Sequence, residues 1–217
     1  MHRDKGGTTL LAIDHIVITA HDPKKAAEEF GAKHGITVVK GGEHEQWGTH
    51  NYLSYFANNC YIEWIGLFDK QLASQSNNPL IKQVVKALEE NEEKPIQYAL
   101  RTEDMTQFVA DFKQDAIPYH GPVAAGRTRP DGTALSWKML FPDPAAKLPF
   151  LIEWESTNIP ADTTLVNEQE LTQLEIPSHY QADVEKALHL SISNHQYQAK
   201  NGKVLFHSEK AIQFTLN

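Results

Sequence analysis

Cys60-Tyr61-Ile62-Glu63-Trp64-Ile65-Gly66 is an apolar run with one carboxylate inside it, and the chain repeats the pattern as Phe150-Leu151-Ile152-Glu153-Trp154. Each copy reads as a strand buried on both faces. An ionised glutamate in such a strand costs several kcal/mol unless a partner charge, a raised pKa or a metal compensates it. The two glutamates stand 90 residues apart (153 minus 63). That spacing makes an internal repeat the first thing to test.

Working outward from the first copy, Asn58-Asn59 is a turn and His50 to Phe56 alternates as a strand. Ile36 to Lys40 is another strand, broken by Gly41-Gly42. Asp22-Pro23 opens a helix, with Asp as cap and Pro in the first turn. Its inward residues are Ala26, Ala27 and Phe30, and Gly31 and Gly35 bracket its end. Leu11 to Thr19 is a β-branched strand carrying His15, with Ile13 and Val17 on the same face by alternation. The unit is β-α-β-β-β.

Around the second copy, Ile96 to Leu100 is a strand, Thr102 is the expected helix cap, and Met105, Phe108, Val109 and Phe112 form a helical face. Pro118 ends that helix region, Pro130-Asp131-Gly132 is a turn, and Leu135 to Phe141 is a strand before Phe150 to Trp154 closes the unit. Aligning the strand–helix junctions lays Ile18 to Asp22 on Leu100 to Asp104. The offset is 82 (104 minus 22), and it sets His15 over Gln97. A helix with Leu80, Ile81, Val84, Val85 and Leu88 on one face, and a polar Glu89 to Lys94 tail, join the units. After Pro160 come a strand (Leu171 to Ile176), a helix (Gln181 to Leu190) and an Asn201-Gly202 hairpin, a third unit expected to lack its last strand. The predicted layout is a disordered end at 1–8, a first βαβββ unit at 9–70, a connecting helix and linker at 71–94, a second unit at 95–156 and a partial βαββ unit at 157–217. The fold class is α+β, a cupped mixed sheet.

The 217 residues are 41% hydrophobic and 22% charged, an ordinary globular composition. The net charge of −8 and the lack of any basic run argue against nucleic acid and anionic membranes as partners. The single cysteine, Cys60, rules out a disulfide framework within the chain and points to a reducing, cytoplasmic setting. No apolar run approaches the length of a spanning helix.

Tandem βαβββ units with a His or Gln in the first strand and a Glu in the fourth resemble the vicinal oxygen chelate superfamily, which holds glyoxalase I, extradiol dioxygenases and metallothiol resistance proteins. Leu11 to Ala20, Trp47-Gly48-Thr49-His50-Asn51, Arg129 to Thr133 and Pro149 to Glu155 resemble its glyoxalase-like group. The resemblance implies a cup with a divalent metal (Zn, Ni, Mn or Fe(II)) held by His15, Glu63, Gln97 and Glu153. It implies a lyase- or isomerase-type enzyme acting on a small-molecule substrate with vicinal oxygens. Glu153 would be the base, by its match to the second-unit carboxylate of glyoxalase I. The cup of such proteins forms within one chain or across a homodimer.

The residue types suit that reading, since imidazole, amide oxygen and carboxylates together bind such cations and no thiolate is present. His50, on the third strand with Tyr52 and Ser54, is a second catalytic candidate if its face turns into the cup. It would also complete a two-His, one-carboxylate Fe(II) set for an extradiol-type oxygenase. Arg127 and Arg129 could receive an anionic group, although a solvated turn accounts for them more simply. Trp47, Trp64 and Trp154 read as core packing. A metal-free protein that binds a small ligand in the same cup is the alternative from a different class.

Overall fold

The computed structural model describes residues 10–128, 132, 134–155, 162–207 and 211–217. The expected end at 1–8, Arg129 and most of the Pro130-Asp131-Gly132 turn lie outside the described residues, as does the side chain of Arg127.

The first unit runs β1 (Ala12–Thr19), α1 (Pro23–His34), β2 (Val39–His44), β3 (Thr49–Phe56) and β4 (Cys60–Leu67). Two helices follow, α2 (Lys70–Ser74) and α3 (Pro79–Glu89). The second unit is β5 (Pro95–Arg101), α4 (Met105–Gln114), β6 (Tyr119–Thr128), β7 (Ala134–Pro142) and β8 (Phe150–Trp154). After a short β9 (Val166–Asn167) come β10 (Leu171–Pro177), α5 (Gln181–Leu188), β11 (Gln196–Ala199), β12 (Gly202–His207) and β13 (Gln213–Leu216).

The offset of 82 holds in atomic detail. Asp22 caps α1 by accepting from Lys25 N, and Asp104 (22 + 82) caps α4 by accepting from Gln107 N (25 + 82). β1 and β5 pair antiparallel with His15 opposite Ala99 and Val17 opposite Gln97. A two-fold axis that carries each residue to its number plus 82 requires that register, since 15 + 82 is 97 and 17 + 82 is 99. The two units therefore join at their first strands into one curled mixed sheet, ordered β2-β3-β4-β1-β5-β8-β7-β6, with β9 beside β3.

The outer face packs on α1, α4 and the third unit through Ile16, Ile62, Trp64, Leu100, Phe112 and Leu174, all buried. The inner face is covered by α3. Its Leu80, Ile81, Val84, Val85 and Leu88 lie against Val17, Ile65, Ala99, Trp137, Phe150 and Ile152. The helical spacing of those α3 residues generates this contact, because it presents one apolar stripe to a cup lined by both units. No helix among the described residues is long and apolar enough to cross a membrane.

Three local expectations change. The second strand lies later than Ile36 to Lys40 and carries Gly41-Gly42 within it, the ladder to β3 shifting register between Lys40 and Glu43. Gly41 sits so tightly against the Asn51 side chain that no Cβ fits there. The sequence after Pro118 forms β6, an edge strand, where the proline of Gly121-Pro122 needs no ladder partner for its nitrogen. The third unit lacks its second strand rather than its last. β12 pairs parallel with β10 as β4 pairs with β1, and β11 pairs antiparallel with β12 as β3 does with β4. β13 takes the place beside β10 that β5 takes beside β1.

Gly66 on β4 gives a direct test of the β1–α1 corner. A Cβ there would meet Ala20 O at 2.6 Å and Pro23 Cγ at 2.6 Å, one a backbone atom and the other a rigid ring. Gly66→Ala is expected to destabilise the fold by about 1–3 kcal/mol, the usual range for overpacking, read as a lower urea midpoint.

Candidate active site

Asp14 and His15 are consecutive, yet both serve one site, because β1 bulges between them. The register against β5 shifts from Ile13–Leu100 to His15–Ala99 and leaves Asp14 unpaired. The bulge also separates Ile13, in the outer core, from His15 and Val17 on the inner face, so the simple alternation expected for those three residues fails.

Asp14 is 1% exposed and meets two hydrogen-bond partners and one cation. Its Oδ1 lies 2.6 Å from His15 Nδ1, and its Oδ2 accepts from Trp154 Nε1 at 2.9 Å and pairs with Arg101 Nε at 2.8 Å. Burial by itself raises the Asp14 carboxyl. The His15 hydrogen bond, the Arg101 charge and Trp154 together outweigh that and hold it below its ordinary value of 3.8. An ionised Asp14 can only accept, so Nδ1 of His15 carries a proton and Nε2 is the atom left for the cavity.

His15 is further fixed by stacking on Tyr61, with ring centroids 4.5 Å apart, and by the edge of Phe150. Its Nε2 lies 3.6 Å from Glu63 Oε2, too far for a hydrogen bond. The other Glu63 oxygen, Oε1, accepts from Asn51 Nδ2 at 2.5 Å. Asn51 is itself oriented by the β2 bulge, since Gly42 N donates to its Oδ1 at 2.8 Å and so turns Nδ2 toward Glu63. These residues line a cavity of about 60 Å³ whose walls are mostly apolar, Trp47, Tyr61, Trp137, Phe150 and Trp154 among them.

Of the four expected metal ligands, His15 and Glu63 share this cavity and Gln97 and Glu153 do not. The Gln97 Nε2 donates to Ala145 O at 2.7 Å and Leu148 O at 3.0 Å, and its Oε1 accepts from Tyr98 N. Its amide thus secures the 145–148 loop. Glu153 points to the other face of β8, where Oε1 accepts from Met105 N at the α4 N-terminus and Oε2 lies 3.9 Å from Lys138 Nζ.

The cause is a register slip between the written repeat and the folded one. Glu63 is partnered by Val17, and Val17 corresponds to Ala99 (17 + 82), whose partner is Phe150. The structural offset of the fourth strands is therefore 87 (150 minus 63), three less than the offset of the doubled Ile-Glu-Trp. Three is odd, and an odd slip along a strand moves a side chain to the opposite face. Phe150 occupies the place in the second unit that Glu63 occupies in the first. Among the described residues no group of three or more His, Cys, Asp or Glu side chains is placed to hold a metal. The four-ligand centre does not fit these residues.

His50 also faces away. Asn51, Leu53 and Tyr55 line the cavity, while Ser54, which shares the His50 face, donates to Thr37 O, and the His50 ring lies near Phe68. The two-His Fe(II) set is not assembled. Trp64 is core, as expected, whereas Trp47 and Trp154 line the cavity. The sequence reading missed Asp14, Asn51 and Asn78, the last a lining residue at the start of α3. The signals were present as two adjacent polar residues in a β-branched strand and as Asn78-Pro79 ahead of the α3 stripe, the same cap arrangement as Asp22-Pro23.

Paired βαβββ units whose first strands meet, with a His from the first strand and a Glu from the fourth on the inner face, define a protein of the vicinal oxygen chelate superfamily. Residues 13–190 match the model of the glyoxalase-like domain, and the chain belongs to that family. Its fold is similar to a hypothetical protein from Staphylococcus aureus (TM-score 0.76, 17% identity, covering 94% of this chain and 89% of the other). It is also similar to methylmalonyl-CoA epimerase from Mycobacterium tuberculosis (TM-score 0.50, 16% identity, 72% of this chain and 96% of the other). No curated protein matches the chain in sequence.

Proposed function

We propose that the protein catalyses proton transfer at a carbon next to a carbonyl in a small molecule, using Glu63 and His15 of the first unit. The observation that carries this is the line Asp14–His15–Glu63, in which a buried carboxylate orients an imidazole whose Nε2 and the facing Glu63 Oε2 both border one cavity. A base held by a third group and aimed at a largely apolar pocket is the arrangement general acid–base chemistry needs.

Glu63 Oε2 removes the proton, while Oε1 stays on Asn51, so the carboxylate keeps its orientation through the step. His15, with Nδ1 on Asp14, presents Nε2 to the same space and exchanges a proton there. The apolar walls exclude water and strengthen each electrostatic contact inside.

Deuterium wash-in tests this directly. Small aldehydes, ketones and thioesters are incubated with the protein in D₂O, and loss of the α-proton signal is followed by NMR. Glu63→Gln is expected to slow exchange about a hundredfold, within the usual contribution of a general base. Glu153→Gln and EDTA are expected to leave the rate within about twofold of the wild type, since a base loss outside the cavity falls well below that contribution. If compounds bind but none exchanges, the protein is a binding module. If EDTA abolishes exchange, a metal does the chemistry.

A further inference from the structure

Asn78 is the cap of α3, and its bonding is complete except for one group. Its Oδ1 accepts from Leu80 N at 2.9 Å, its N–H donates to Ser76 Oγ at 3.1 Å, and its carbonyl accepts from Lys82 N at 3.1 Å. With Oδ1 turned back on the helix, Nδ2 must point away from it. The residue is 4% exposed, and among the described residues Nδ2 has no hydrogen-bond partner. Asn78 lines the same cavity as His15 and Glu63, together with Leu80 and Ile81 from the first turn of α3. Asp caps a helix as well as Asn without leaving a buried donor unused. The amide therefore has a use that capping does not explain.

We propose that Asn78 Nδ2 holds the carbonyl oxygen of the substrate, and that the substrate is an uncharged aldehyde, ketone or thioester rather than a free carboxylic acid. The proposal rests on the proton-transfer reading of this cavity and adds to it the substrate class and a further catalytic residue. Charge decides the class. Glu63 borders the cavity, and no Lys or Arg is among the described residues that line it. Arg101, the nearest cation in the network, is committed to Asp14. A carboxylate ligand would bring a second full negative charge beside Glu63 with no Lys or Arg in the lining to balance the two, whereas a neutral carbonyl meets the donor and the positive end of α3 without that repulsion.

The step balances without any further reactant. The α-proton passes to Glu63 Oε2, and the C–H electron pair becomes the new C=C bond. The carbonyl π pair moves onto oxygen, and that oxyanion is held by Asn78 Nδ2 and the α3 N-terminus. Return of the proton to carbon reverses each movement.

Asn78→Ser and Asn78→Asp keep a cap acceptor and so keep α3 folded, while Asp deletes the donor and Ser, with its shorter side chain turned back on the helix, withdraws the amide N–H from the cavity. Acetamide, an uncharged carbonyl, and acetate, its charged counterpart, serve as probes in NMR titrations, with circular dichroism melts reporting folding. Wild-type protein is expected to bind acetamide at least tenfold more tightly than acetate. Both variants are expected to lose about tenfold in acetamide affinity with near-native melts. Exchange into hydroxyacetone is expected to fall about 10²–10³-fold, as for loss of one oxyanion donor. Acetamide binding unchanged in both variants, or acetate bound as tightly as acetamide, overturns the proposal. Failure of the proton-transfer reading looks different: wild-type protein binds acetamide through Asn78 but washes no deuterium into any carbonyl compound.

Discussion

Replacing Asp14 by Asn is expected to slow exchange about tenfold to a hundredfold, no more than loss of the Glu63 base itself, because Asp14 acts only through the tautomer and orientation of His15. The carboxylate offers Oδ1 to His15 and Oδ2 to Trp154 and Arg101. An amide has one oxygen for those three partners. The Trp154 N–H and the Arg101 charge sit on the Oδ2 side, so the amide oxygen stays there and the NH₂ turns to His15. That forces the proton of the imidazole from Nδ1 to Nε2 and spoils the acceptor that faces the cavity. NMR of the His15 ring nitrogens would show the tautomer change, and a change confined to stability would count against the catalytic role.

The same variant is expected to be less stable by about 3 kcal/mol at neutral pH, because it leaves Arg101 without its buried partner. The pH dependence has a definite sign. The folded pKa of Asp14 lies below 3.8, so its stabilisation is present in full above that value and is lost as pH falls through the folded value. Urea melts between pH 2 and 7 should show this acid-side loss in the wild type and a flatter profile in Asp14→Asn.

The second large effect concerns α3. Ile81 is 1% exposed, packs the inner face of the sheet and lines the cavity. Ile81→Ala is expected to cost about 2–5 kcal/mol, the range for deleting a buried aliphatic side chain where the surroundings relax only in part. It also enlarges a cavity of about 60 Å³ with apolar wall. A dry enlargement of that kind binds small apolar molecules, so benzene should raise the melting temperature of the variant and not of the wild type. An unchanged urea midpoint would mean that α3 does not hold the inner face shut.

How much of this was legible depends on the range of the interactions involved. The α1 start was readable because Asp22-Pro23 acts on a backbone group three residues away, whereas the cap of α4 is Asp104 and not the expected Thr102. The α3 stripe was readable because helical spacing alone puts Leu80, Ile81, Val84 and Leu88 on one side. The match of His15 with Gln97 was also correct as a match of position, since the β1–β5 register obeys the offset of 82. What Gln97 does there was not legible, because its amide serves a loop some fifty residues on that no local pattern announces.

The sequence by itself determined the repeated units and the strands that carry His15 and Glu63, consequences of hydrophobic period and turn chemistry within short segments, and its motifs carried the resemblance to the family. The tertiary structure decided which side of the sheet each chemical group serves. Strand pairing set the fourth-strand offset at 87 rather than 90, turning Glu153 out of the cup and putting Phe150 opposite His15. The β1 bulge brought Asp14 behind His15, and the docking of α3 brought Asn78 over the cavity. In each case the physical reason is the same. The face of a strand residue alternates with every position, so a slip of one or three residues, fixed only when distant strands pair, reverses it.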